Sequence, residues 1–368
     1  MPQNINYDLM TLIGLSDREK FHTGMLAYLF KKKELKKILL GSLFNIYDQS
    51  AEQWEVFVEE DSIDMGFKSK ASLPLLIEVK LKSSTTIEQI KKYSTKLNNK
   101  RYKGEPGRFY LLGLLEPLIV VNKSSNYINT LVNLSENKSE VIIPQPISYG
   151  YLYDILNANL KDIYNELSTQ EAGFYQLWIH YLEKLKRLSE IFKNAEEENK
   201  LNQISSKQKK EIESLRLIGG FERFRFEQLF MLLKQGNNLS NLCTYHFGNT
   251  HGRALFEINI GVNNDRVEKI GLQWQNDVVK LFICNKDKPK KKDEKRDEIL
   301  IGWFEELKTN FENKINFEEN SKINKENQLT KFRSVNLFKK PVFDELDNNF
   351  IENFIELINA VMEFNYNR

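Results

Sequence analysis

Leu75-Leu76-Ile77-Glu78-Val79-Lys80 is the stretch on which the fold turns. Three aliphatic residues open it and two opposite charges close it. A β-strand sends alternate side chains to opposite faces, so Glu78 and Lys80 share one face while Val79 enters the other. A continuous apolar run marks a strand covered on both sides. The rival reading is an exposed strand edge. A covered strand carries an acid and an ammonium only for a purpose, because burying charge is costly.

The neighbours of this strand fit a small α+β unit. Upstream, Trp54-Glu55-Val56-Phe57-Val58 alternates like a strand, and Ile63-Asp64-Met65-Gly66-Phe67 reads as its hairpin partner. That pairing brings Asp64 beside Glu78 and Lys80, although Asp64 alone also suits a hairpin turn. Downstream, the capping box Thr85-Thr86-Ile87-Glu88 opens a helix running to about Leu97. An apolar strand follows over 108–115, then a helix over 149–160. Two helices precede the hairpin. Ser16-Asp17-Arg18-Glu19 reads as a capping box before Phe21, Met25, Leu26, Leu29 and Phe30, which recur at helical spacing. The second covers about 34–47.

The later part reads differently. Phe174, Leu177, Trp178, Tyr181, Leu182, Leu185 and Leu188 predict a long helix over 170–195, its aromatics serving a core or a partner interface. Residues 196–210 are charged, and Gly219-Gly220 punctuates the chain. Segments 254–260, 269–275 and 278–284 predict an antiparallel meander with Phe256, Trp274 and Phe282 in its core. A loop over 285–296 mixes Lys with Asp and Glu. Helices follow over 301–311 and 348–364. The expected fold class is α+β or α/β. Its parts are a core over 1–165 with a mixed central sheet flanked by helices, a helical connector over 166–218, and a C-terminal α+β domain over 219–368. The last announces no chemistry; recognition, dimerisation and regulation are its open roles.

Bulk properties bound the function. The 368 residues are 41% hydrophobic and 12% aromatic, enough for two packed domains and unlike a disordered chain. A net charge of +2 gives no global basic field. Cys243 and Cys284 are the only cysteines, which excludes a disulfide scaffold or Cys-rich zinc site and suits a reducing compartment. His246 and His251 lack ligand spacing for zinc. The apolar run Leu111 to Val121 is short for a span and is broken by Glu116 and Pro117. MPQNINYDLM lacks the basic and apolar regions of a signal peptide. The expected protein is soluble and cytoplasmic, with no membrane partner.

Asp64, Glu78 and Lys80 suit one chemistry. Phosphodiester hydrolysis needs a hard divalent cation, an activated water and neutralisation of charge on the phosphate. Carboxylates suit Mg²⁺. Ile63-Asp64, a variable turn, and Leu75 to Lys80 resemble the PD-(D/E)XK nuclease superfamily, with Ile63 in place of the proline. The resemblance implies a restriction-endonuclease-like core in which Asp64, Glu78 and the Val79 carbonyl hold Mg²⁺ or Mn²⁺ and Lys80 serves the attacking water. Gln89 and Tyr93, four apart on the next helix, match the Gln-x-x-x-Tyr motif of the RecB-like branch, which implies substrate positioning. The rival is a solvated helix face.

Glu19-Lys20-Phe21-His22-Thr23 resembles the Glu-x-x-His-[Ser/Thr] first helix of a bacterial subgroup. This implies Glu19 as a further metal ligand and His22, on the same helix face, as a substrate contact. The rival readings are a capping-box Glu19 and a buried, hydrogen-bonded His22. Lys91, Lys92 and Lys96 are expected phosphate contacts, with Lys100, Arg101 and Lys103 beside them. Lys31-Lys32-Lys33 with Lys36-Lys37 form a second basic cluster; either cluster also reads as a solvated face. The resemblance covers about residues 15–160. It implies a metal-dependent DNA nuclease, an endonuclease by preference, in anti-phage defence. The alternative is a nuclease-fold DNA-binding or regulatory subunit, active only with a partner protein or as a homo-oligomer.

Overall fold

The strand quoted above forms with the bounds the sequence suggests, Leu75–Lys80. A computed structural model of the chain describes residues 10, 14–15, 18–60, 63–70, 72–81, 85–114, 119–121, 128–130, 141–190, 201–235, 243–250, 253–261, 267–287, 294–318 and 331–364. Ser16, Asp17, His251, residues 288–293 of the charged loop and residues 191–200 lie outside them. The chain divides into two units. One comprises Met1–Ser124, Asn129–Asn194 and Ser206–Ile218; the other comprises Ser125–Ile128, Ala195–Ser205 and Gly219–Arg368.

The first unit is built on a mixed five-stranded sheet. Helices α1 (Glu19–Lys31) and α2 (Lys33–Phe44) precede β1 (Glu55–Glu60), β2 (Ile63–Lys68) and β3 (Leu75–Lys80). Then come α3 (Ile87–Asn99), β4 (Arg108–Gly113), a two-stranded sheet of β5 (Ile119–Val121) and β6 (Ile128–Thr130), β7 (Gln145–Ser148), α4 (Tyr149–Ala158), α5 (Leu160–Glu166), α6 (Thr169–Glu190) and α7 (Ser206–Ser214). The five-strand order is β1-β2-β3-β4-β7. The β1–β2 and β2–β3 pairs are antiparallel, and β3–β4 and β4–β7 are parallel. β3 is thus the central strand, as its apolar run requires.

Helices cover both faces of this sheet. Leu76 packs with Ile90, Tyr93 and Leu97 of α3 and with Phe57 and Phe109. On the other face the Phe30 and Phe67 rings meet edge-on, 5.0 Å between centroids. A Cβ on Gly66 would meet Phe57 Cζ at 2.5 Å, so the missing side chain lets that ring lie across β2.

α6 is not a free connector. It packs on α4 and buries Tyr175, Trp178, Tyr181, Leu182, Leu185 and Leu188, so the amphipathic stripe read from its spacing faces a core. Phe174 falls off that stripe and is 59% exposed.

The second unit contains α8 (Ile218–Gln235), β8 (Cys243–Thr250), β9 (Arg253–Gly261), β10 (Val267–Gln275), β11 (Val278–Asn285), α9 (Glu294–Phe311), β12 (Phe332–Lys339) and α10 (Asn348–Met362). Its sheet has the order β12-β11-β10-β9-β8, antiparallel throughout. The expected meander is its centre. Phe256, Trp274 and Phe282 are buried. Asn276 and Asp277, both with positive φ, make the tight β10–β11 turn.

The boundary between the two units falls between Ile218 and Gly219, at the Gly219-Gly220 punctuation. Both glycines are buried in the first turn of α8, and the reversal is made by Arg216 at φ 56°. The charged loop also ends early, because α9 starts at Glu294 and buries Arg296 completely. The Arg225 guanidinium, 2% exposed, donates to the carbonyls of Asn202, Val342 and Asp344.

Candidate active site

The β2–β3 ladder stops at the Met65–Ile77 pair. Beyond it the strands fork, and two backbone N–H groups of β3 and its continuation receive carboxylates instead of a strand partner. Val79 N donates to Asp64 Oδ2 at 2.8 Å, and Leu81 N donates to Glu19 Oε1 at 2.9 Å. The fork is thus lined with acid while its backbone donors remain satisfied.

Glu78 lies between the strands and α3, only 1% exposed. Lys80 Nζ stands 2.6 Å from its Oε1, Gln89 Nε2 donates to the same oxygen at 3.1 Å, and Tyr93 Oη donates to Oε2 at 2.5 Å. The Asp64 carboxyl stands near enough to act on Glu78 electrostatically, so the two acids are coupled. Burial pushes both above the ordinary carboxylate range. Lys80 opposes the shift in both, while Glu19 reinforces that of Asp64 and Asp64 that of Glu78. Burial alone would lower the Lys80 ammonium, yet Glu78, Glu19 and Asp64 together hold it above its usual value. Tyr93 is raised far above a free phenol by burial and then by Glu78, so it remains a donor.

The α3 cap is displaced by one residue from the expected box. Thr86 is the N-cap and Gln89, not Glu88, closes the box. The Gln89 amide oxygen accepts from Thr86 N at 3.1 Å while its nitrogen serves Glu78. Glu19 likewise leaves its expected cap. Arg18 is the N-cap of α1 and makes no side-chain cap bond, which frees the Glu19 carboxylate to reach Leu81.

His22 lies inside the first unit. It is 0% exposed, and its Nδ1 accepts from Trp178 Nε1 at 2.9 Å. Its ring meets Tyr149 edge-on at 5.2 Å and stacks on Tyr181 at 5.6 Å. The buried histidine is the reading that holds. Tyr149 is a residue the sequence did not single out. It is fully buried at the start of α4, its hydroxyl has no hydrogen-bond partner among the described residues, and Glu19 and Asp64 both act on it electrostatically.

The lysines separate into groups. Lys91 and Lys92 are exposed, whereas Lys96 is half-buried. Lys32 and Lys33 pair with Glu171 and Glu52, and Lys36 donates to the carbonyls of Glu52 and Trp54. That cluster is committed to holding α1 and α2 in place.

Among the described residues no group of three or more His, Cys, Asp or Glu side chains is close enough to hold a metal ion. The pair of Asp64 and Glu78 fits a hard cation in kind, because Mg²⁺ is commonly held by one or two carboxylates with waters and phosphate oxygens completing its shell. Comparison of the chain with protein-family models, with curated proteins and with solved structures returned no match.

Proposed function

We propose that the chain is a metal-dependent nuclease hydrolysing DNA phosphodiester bonds from a restriction-endonuclease-like core. The observation that supports this most is the convergence on Glu78. Lys80 from β3 and Gln89 and Tyr93 from α3 all meet one buried carboxylate, and the Asp64 carboxyl of β2 is near enough to act on it electrostatically. A structural role alone gives no reason to collect two acids and an ammonium at the open end of a central strand.

Asp64 and Glu78 are the residues that would hold Mg²⁺ or Mn²⁺, with the Val79 carbonyl beside them. The bound cation supplies a water of lowered pKa and neutralises charge on the phosphate. Gln89 and Tyr93 fix the direction of the Glu78 carboxylate. Lys80 is held charged, so its part is to orient the attacking water and stabilise negative charge, not to take a proton. Glu19 ties Leu81 N and thereby the end of β3.

A second reading has its own support. Both Glu78 oxygens are engaged by neighbouring side chains, so the site is closed on itself. A DNA-binding or regulatory subunit that acts only within a complex would have this form. The full chain with Mg²⁺ or Mn²⁺ on plasmid and single-stranded DNA tests both. Cutting that Lys80→Ala lowers by a hundredfold or more supports the nuclease. Cutting only with added partner proteins supports the second reading, and no cutting under either condition sinks both as enzymes. A role in phage defence rests on the resemblance alone.

A further inference from the structure

Tyr149 follows β7 at the end of the sheet where the acid fork opens. β3, β4 and β7 run parallel, and their register aligns Lys80, Gly113 and Ser148 across three strands. Tyr149 is the next residue, level with Leu81. The Ser148 hydroxyl accepts from Tyr151 N at 3.0 Å and fixes the backbone on either side of it. The Tyr149 ring meets His22 edge-on at 5.2 Å, and Trp178 holds His22 from α6. Glu19 stands one turn before His22 on the same face of α1. Tyr149 and Glu19 thus approach one corner from two elements, and Glu19 is bonded there to Leu81 N.

The Tyr149 hydroxyl is buried in an unusual state. Two other buried phenols of the unit are bonded, Tyr93 donating to Glu78 and Tyr175 to Leu156 O. The Tyr149 oxygen, in a residue 0% exposed, has no hydrogen-bond partner among the described residues. A hydroxyl buried unpaired is unfavourable, and one enclosed water with two or more polar neighbours is the common remedy. Such neighbours are at hand. Burial raises the phenol well above its ordinary value, and Glu19, Tyr181 and Asp64 add to that. Both carboxylates are therefore within electrostatic reach of Tyr149, yet neither accepts its hydrogen. Two oxygens bridged by one water stand about 5–6 Å apart. That separation agrees with both facts.

We propose that Tyr149 is a positioning residue whose hydroxyl holds one water against the Glu19 and Asp64 carboxylates, and that this water belongs to the hydration shell of a divalent cation at Asp64. The first half stands on the fold; the second rests on the metal-dependent reading. Mg²⁺ keeps several waters when bound. Groups that hydrogen-bond around a metal's ligands change its affinity about ten- to a hundredfold. A phenol suits both conditions. Its rotating O–H donates to a free water, and its lone pairs accept from a water whose own lone pair faces a cation. Gln89 and Tyr93 do not share this part, because both are bonded to Glu78. Full burial suits the role, since the hydroxyl meets one enclosed water and no substrate.

Two measurements on the full chain without DNA test the two halves. The first is a metal-free crystal structure at a resolution that places waters. A water within hydrogen-bond distance of Tyr149 Oη and of Glu19 or Asp64 is expected. A hydroxyl with no water there, or one bonded directly to a protein group, overturns the first half. The second is calorimetric titration with Mn²⁺. Tyr149→Phe is expected to weaken Mn²⁺ binding about tenfold or more while its metal-free melting temperature is kept or raised. Tyr175→Phe, which removes a phenol bonded to backbone, serves as the control and should bind as wild type does. Equal Mn²⁺ affinity in wild type and Tyr149→Phe overturns the shell role and leaves the metal-dependent reading standing. So does an equal loss in Tyr175→Phe, which would trace the effect to general loosening. A wild-type chain that takes up no Mn²⁺ overturns that reading and the shell role together, while the bridging water still stands or falls on the crystal structure.

Discussion

Gln89 is hydrogen-bonded to Glu78 through its amide nitrogen at 3.1 Å, and the oxygen of the same amide closes the N-cap of its own helix. One side chain therefore links the start of α3 to the buried acid. Gln89→Leu is expected to cost about 1–3 kcal/mol, for the lost cap bond and an under-satisfied carboxylate. Thr86→Ala removes only the cap side and should cost about 1 kcal/mol. Urea unfolding of both variants measures the difference. Equal losses would mean that the Glu78 bond contributes nothing.

The carboxyl pair sets a pH dependence with a definite sign. Asp64 and Glu78 are both raised by burial first and by neighbouring acids next. A raised folded value means the native state holds a proton that the unfolded chain has released. The associated stability is present at low pH and disappears as pH rises through the folded values. Asp64→Asn should therefore gain melting temperature relative to wild type as pH goes from about 5 to 8, starting above the ordinary carboxylate range. His246, lowered by burial first, has the opposite sign, so the difference between the two proteins is the quantity to read. Asp48, held low chiefly by its bond to Lys103, titrates below this window. Parallel melting curves across that range would contradict the raised carboxyls.

Tyr149 offers a case in which stability and activity move apart. Its hydroxyl is buried without a partner, a cost of about 1–3 kcal/mol. Tyr149→Phe is expected to melt at the same temperature or higher. If the hydroxyl is kept for a ligand at Glu19 and Asp64, the same variant should lose cleavage activity in a DNA assay. Loss of stability would show instead that the hydroxyl serves the fold.

Arg225 is a different kind of buried charge. Its guanidinium gathers three carbonyls of the second unit. Arg225→Lys keeps the charge but not the planar fork, and about 2–4 kcal/mol of stability should be lost because carbonyls are left unpaired. Arg225→Met should cost less than Arg225→Ala, since it refills the volume. Denaturant unfolding checks the order.

What the sequence disclosed depended on how local the signal was. β3 was legible because an apolar run and two same-face charges are contained in six residues. β7 was missed because Pro146 demotes a strand, and only an edge position tolerates it. β8 did carry a signal, since Tyr245 and Phe247 alternate with His246 and Gly248. The cap of α3 could not be chosen from composition, because Thr85 with Glu88 and Thr86 with Gln89 are equally good boxes. The reach of Gln89 to Glu78 is a contact that singles out the second. Tyr149 was invisible for a related reason, because only the folded chain brings it under the influence of Glu19 and Asp64.

The fork between β2 and β3 has a last consequence. Asp64 occupies the place where a backbone carbonyl would otherwise continue the ladder. An apolar β-branched residue there would let the two strands zip together past Met65 and Ile77. Such a protein would be sturdier and its acid pair gone. The opening is therefore a seam left unsewn, and on the proposed nuclease reading the carboxylate that holds it apart is one that a cation would have to borrow from the backbone.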